Sequence, residues 1–321
     1  MKSGRFLPRM ALIFTAGLSL IWASSVLAYG TIGMAGQDYE HQKITRLALN
    51  KAGLGTWTMD QLAGTDKTMG AVGAADNPLV GLVFRPEAHC DSGDHLDHSD
   101  YPQTAENARA SLTACRKWIF GHLNKAVEIA PAVLDEPEAR STRPPKNCKF
   151  RFNAGSAKCR VLFELGLALH ATQDFYAHSN WTDVTTGPIS AENPPGLAQN
   201  GPVEWLNPAK NAPLPKGLIS GCWQGIPEIF FCSQLSKHKR VTHATLSKDT
   251  GVIDRESGDI GKGTTKRGAH DDNFSRSVLA AITDTTGKWR YFENRIIETY
   301  GQEKGRRILC LIKSDSRDAC Q

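Results

Sequence analysis

Apolar residues recur at helical spacing along much of the chain. Ile44, Leu47 and Ala48 share one stripe, which predicts a helix over residues 40–52 closed by Gly53. Leu112, Cys115, Ile119, Leu123, Val127 and Ile129 mark a longer helix over 105–134, with Pro131 ending or kinking it. Leu162, Leu165, Leu169 and Phe175 give a third over 157–181. Val278, Ile282, Trp289, Phe292 and Ile296 give a fourth over 273–300, with a shorter helix over 302–312 behind it. Runs of alternating β-branched residues are almost absent, so the expected fold class is all-α. Two stretches break the pattern. Residues 187–215 hold seven of the 16 prolines, and residues 247–268 are polar and glycine-rich. Loops of that length in a compact domain are usually functional or mobile.

The first 28 residues follow a different logic. Lys2, Arg5 and Arg9 precede a mostly apolar, uncharged run from Met10 to Trp22. Val26 and Ala28 then offer small residues at the −3 and −1 positions of a cleavage site. This reads as a secretory signal peptide, with a single domain over 29–321 and Tyr29 as the new N-terminus. Removing three positive and no negative residues lowers the net charge from +5 to +2. No global field for polyanions remains, and a local basic run such as Lys237 to Arg240 reads as a solvated face. All eight cysteines follow the signal, and their even number fits an oxidising compartment. Eight cysteines permit 105 pairings; a preference for short loops selects Cys90–Cys115, Cys148–Cys159, Cys222–Cys232 and Cys310–Cys320.

The strongest chemical signal is Leu169-His-Ala-Thr-Gln-Asp-Phe-Tyr-Ala-His-Ser-Asn-Trp181. His170, Asp174 and His178 stand at i, i+4 and i+8, and therefore on one face of a helix, about 6 Å apart. Imidazole beside carboxylate is a ligand set for Zn²⁺. Residues 89–100 add three His and four Asp, without EF-hand spacing. His41 opens the first helix, Asp76 sits in a turn, and His270 precedes the fourth long helix.

The order of these features resembles the zinc-dependent phospholipase C / S1-P1 nuclease superfamily. The nearest likeness is its branch of fungal HET-C proteins and bacterial phosphatidylcholine-hydrolysing phospholipases C. The segment Leu169 to Trp181 is similar to that branch's signature. Gly73-Ala-Ala-Asp76, His89-Cys-Asp91, Leu246-Ser-Lys-Asp249 and His270 follow the family's order. The resemblance implies a helical bundle with three zinc ions in a cleft. It assigns His89, His170, Asp174 and Asp76 to one zinc, and His178 and His270 to a second. His41, Asp174 and the amine and carbonyl of Tyr29 would hold the third. The sequence departs from the family in two places. Tyr29 stands where Trp is usual, and Phe274 stands where a carboxylate follows the last His by four; Asp249, Asp271 or Asp272 would replace it, with Asp249 preferred.

The activity so implied is a secreted phospholipase C acting on phosphatidylcholine-type lipids, with Asp76 and Asp174 as catalytic residues. Tyr39, Tyr176 and Trp181 are candidates for contact with a choline-like cation. A nuclease of the same metal architecture and a non-catalytic, metal-stabilised interaction protein are the alternatives. The near-neutral mature charge counts against the nuclease. Phe274 favours the non-catalytic form.

Overall fold

A computed structural model describes residues 29–33, 36–136, 147–151, 155–223, 232 and 239–320. The expected export segment, residues 1–28, lies outside the described residues. Seven α-helices are present among the described residues: α1 Glu40–Leu49, α2 Thr56–Ala63, α3 Ala105–Ile129, α4 Ala157–His178, α5 His243–Leu246, α6 Asn273–Tyr300 and α7 Gln302–Lys313. The helical class is as expected.

Helix α4 is the centre of the bundle. From Leu165 to His178 every residue is buried, with α3 and α6 packed along it. Burial all round requires an apolar helix, and Leu165, Leu167, Ala168, Leu169, Ala171 and Phe175 supply that surface. Ser156 starts the helix by accepting the Cys159 amide on its hydroxyl at 3.2 Å. Thr104 caps α3 in the same way through Asn107 at 3.2 Å. Helix α3 stops at Ile129, and Ala130–Val133 continues as a tighter 3₁₀ turn. Pro131 lacks the amide that would extend the α-helical ladder.

The glycine-rich stretch 247–268 is not wholly irregular. Gly251–Ile253 (β1) and Ile260–Gly263 (β2) pair antiparallel, with Gly251 opposite Gly263 and Ile253 opposite Ile260. Only Ile253 carries a deeply buried apolar side chain into the core from this ribbon, so its sequence shows little alternation. Helix α2 was also absent from the hydrophobic pattern. Its N-terminus is capped from a distance: the Trp57 and Thr58 amides donate to Asp315 at 2.9 and 3.0 Å.

Four disulfides join Cys90–Cys115, Cys148–Cys159, Cys222–Cys232 and Cys310–Cys320, as the short-loop preference selects. Such a density fits an oxidising environment. No described helix is long and apolar enough to cross a membrane.

Candidate metal centre

The fold brings four separate segments against the buried face of α4. Gly166 makes the first approach possible, because a Cβ there would lie 2.3 Å from the Ala71 carbonyl carbon. The segment carrying Asp76 therefore lies directly on the helix, one turn before His170. The Cys90–Cys115 bridge ties the His89–Asp91 turn to α3. Gly221 does for His243 what Gly166 does for Asp76: a Cβ at Gly221 would fall 2.4 Å from the His243 Cα. Asp249 arrives from the turn after α5, where Lys248 reaches the Ser179 carbonyl at 2.9 Å and Asp183 at 2.9 Å.

The first group is built around Asp174. Its Oδ2 lies 2.9 Å from His170 Nε2 and 3.0 Å from His89 Nδ1, and its Oδ1 lies 3.1 Å from His41 Nε2. Asp76 Oδ1 completes the group at 3.6 Å from His170 Nε2 and 3.7 Å from His89 Nδ1. The rings of His41 and His170 stack at 4.3 Å. His41 Nδ1 meets Gln173 Oε1 at 2.7 Å, which fixes that nitrogen as a donor and turns Nε2 toward Asp174.

The second group adjoins it one turn along α4. His178 Nε2 and His243 Nε2 face the two oxygens of Asp249 at 3.0 and 3.2 Å. On the other side, Asp91 faces their Nδ1 atoms at 3.4 and 3.0 Å. His178 Nδ1 also meets the His89 carbonyl at 3.1 Å. Ser247 donates to Asp249 Oδ2 at 2.6 Å.

All of these residues are removed from water, none more than 5% exposed. Buried polar atoms are normally satisfied, yet His89 Nε2, His170 Nδ1, Asp76 Oδ2 and Asp91 Oδ1 have no hydrogen-bond partner here. His170 Nε2 and His89 Nδ1 approach to 3.1 Å, two nitrogens that cannot both carry a proton at that contact. His41 Nε2 and Asp174 Oδ1 also lack a hydrogen-bond partner although they face each other at 3.1 Å inside the first group, and unpaired donor atoms converging there fit a cation better than a proton. Three sets have the required closeness: His41, His170 and Asp174; Asp76, His89 and His170; Asp91, His178 and His243. Imidazole with carboxylate suits several first-row divalent ions.

Without an ion, the carboxylates govern the histidines. Burial lowers the pKa of His41, but Asp174 outweighs it and the net shift is upward. His170 is held below its ordinary value by burial, against the pull of Asp174 and Asp76. Burial would raise Asp174; the surrounding histidines hold it well below the usual carboxylate range. Burial and His178 lower His243, yet Asp91 and Asp249 carry it up to about 9. His178 likewise stands well above its ordinary value, as Asp91 and Asp249 overcome burial. In the metal-free chain the raised His243 contributes stability that is complete below its ordinary 6.5 and lost as pH rises through about 9.

A cation must displace those protons. Uptake at pH 7 by the second group is expected to release at least one proton, from His243, so affinity should rise with pH by about 10-fold per unit or more until near pH 9. Calorimetry in two buffers of different ionisation enthalpy measures the number. Binding with no proton release would contradict it.

Not every expected residue takes part. His41, Asp76, His89, His170 and Asp174 come together, and His178 meets Asp249. His270, expected beside His178, is instead half-buried, with Nε2 3.3 Å from Thr186 Oγ1. The second histidine of that group is His243. The change also removes the difficulty at Phe274, a fully buried core residue whose ring meets that of Tyr29 at 6.5 Å. Tyr29 is itself buried, edge-on to His41 at 5.7 Å, with its hydroxyl 2.6 Å from Ser277 Oγ. Tyr176 donates to Asp284 at 2.9 Å, Trp181 to the Gly201 carbonyl at 2.9 Å, and Tyr39 to the Asp66 carbonyl at 2.9 Å. Those three bonds are structural and do not involve the histidine groups. Asp91 and His243, members of the second group, were missed. Asp91 was visible beside His89, and His243 had only its short spacing to Asp249 as a signal.

No protein-family model, no curated protein and no solved structure matches this chain.

Proposed function

We propose that the chain is a secreted, zinc-dependent phosphodiesterase of the phospholipase C type, exported through its first 28 residues. The observation that carries this reading is the continuity of the two groups along α4. Asp174 touches three histidines, and the His178, His243, Asp91 and Asp249 group begins one turn later. Adjacent sites of this kind suit in-line displacement at phosphorus.

Divalent ions held there would supply Lewis acidity toward phosphoryl oxygens and a nucleophile at neutral pH. The chain's own residues do the rest. His41, His89, His170, His178 and His243 provide neutral nitrogen donors. Asp174 holds the first three in register. Asp91, at the Nδ1 atoms of His178 and His243, completes the set that would hold an ion there, and Asp249 takes the Nε2 side of both rings and fixes their orientation. Asp76 keeps Oδ2 unpaired and buried, placed to accept a proton from the attacking group.

Burial of the residues favours a second reading, a metal-stabilised protein without turnover. Two surface cavities, of about 850 and 550 Å³, are lined by other residues. Parallel assays on phosphatidylcholine and single-stranded DNA, with metal content measured on the same sample, separate the readings. The expected result is lipid hydrolysis that a chelator abolishes and zinc restores, with DNA intact. A metal-replete protein that cleaves neither substrate would establish the second reading.

A further inference from the structure

Between Asp76 and His89 the chain makes an excursion that the metal groups do not use. Residues 77–84, Asn-Pro-Leu-Val-Gly-Leu-Val-Phe, hold no charged side chain. Leu79 and Phe84 are each 56% exposed, and Val80, Leu82 and Val83 are half-buried. Among the described residues the other large exposed apolar ones, Ile189, Val252 and Leu279, belong to separate segments, as is ordinary on a protein surface. Five apolar side chains in one short loop are not ordinary.

The loop is folded rather than loose. The Asn77 side chain accepts the Leu79 amide at 3.0 Å, and its carbonyl accepts the Val80 amide at 2.8 Å. Gly81, with φ of 79°, reverses the chain into a 3₁₀ turn over Leu82–Phe84, closed by the Arg85 amide on the Leu82 carbonyl at 2.9 Å. Leu82 roots this tip on Ala74, Ala75 and Leu167, and one edge of Phe84 meets Trp223 at 6.4 Å. Arg85 turns back toward Glu87 and the Trp118 ring, so the first charge after the tip is neutralised at its base.

We infer that the 78–84 loop is an interfacial anchor that inserts into the surface of a phospholipid bilayer. Two features select lipid over a protein partner. The tip offers apolar side chains and no polar ones for directional recognition. The one charge that follows it, on Arg85, is turned back to Glu87 and the Trp118 ring at its base, so the tip can enter the interfacial zone without carrying a charge there. Because Asp76 and His89 close the two ends of the loop, anchoring it would hold the first metal group in a fixed relation to the lipid headgroups. The inference rests on the phospholipid reading only for that consequence.

Flotation with vesicles of pure phosphatidylcholine tests it. Leu79→Asp with Phe84→Asp should weaken vesicle binding by at least about ten-fold. Metal content and turnover of a water-soluble monomeric phosphodiester should stay near wild type. Phe84→Trp provides a probe that does not disturb the fold: its emission should shift to the blue on adding the vesicles. Vesicle binding unchanged in the double variant, no wild-type binding, or no shift for Phe84→Trp would each overturn the inference. So would a double variant that loses self-association in sedimentation and keeps its vesicle affinity. Absence of turnover on the soluble diester with vesicle binding retained would instead reject the enzyme and leave the anchor standing.

Discussion

Asp174→Ala is expected to damage the protein more than any other single ligand change. Asp174 is the one carboxylate that three histidines share within 3.1 Å, and it is fully buried. Its removal leaves His41, His89 and His170 facing one another without a counter-charge. Metal affinity should fall by at least about 100-fold, since even supporting residues around such sites are worth 10–100-fold. Stability of the metal-free protein should fall by about 3–5 kcal/mol, the usual cost of stripping one partner from a buried pair. Metal titration and thermal unfolding of the same sample measure both. Asp174→Asn keeps the shape and not the charge, so it should recover part of the stability and little of the affinity. Wild-type metal content in Asp174→Ala would remove this residue from the centre.

The second large effect is expected at a bond that touches no ion. Cys90 is the residue between His89 and Asp91, one from each histidine group, and its φ of 56° puts it in the left-handed region. The bridge to Cys115 holds that strained turn on α3 across 25 residues. Replacing both cysteines with serine should cost about 3–4 kcal/mol from the lost cross-link in the unfolded chain. It should also weaken both groups together, because His89 and Asp91 are fixed by one turn. Equilibrium denaturation and metal titration check the two parts. The variant that loses the Cys310–Cys320 bridge is the natural control, expected to lose stability and keep its metal affinity.

The legible parts of this molecule were those that a single segment determines. Helix α6 begins and ends where the apolar period does, at Asn273 and Tyr300. The i, i+4, i+8 face of His170, Asp174 and His178 follows from helical geometry alone, and the structure places all three side chains among the histidine groups. What sequence could not reveal depends on distant partners. Helix α2 is short, presents little apolar surface, and takes its cap from Asp315, 257 positions away. His243 lies in a four-residue helix with no apolar stripe, and only the close approach of Gly221 puts it beside His178. His270 had the better sequence context, next to Asp271 and Asp272 and just before a long helix. Both of those aspartates have a positive φ, and the turn they form sends the histidine to Thr186.

The central claim is that the His/Asp groups along α4 hold metal ions. Anomalous diffraction from crystals of the protein, collected on both sides of the zinc edge, tests it most directly. The account predicts separate peaks at the Asp174 group and between His178 and His243, each with ligand atoms at about 2.0–2.2 Å. Crystals grown with excess zinc that show no peak at either place, with the carboxylates still bonded to the imidazoles, would contradict it.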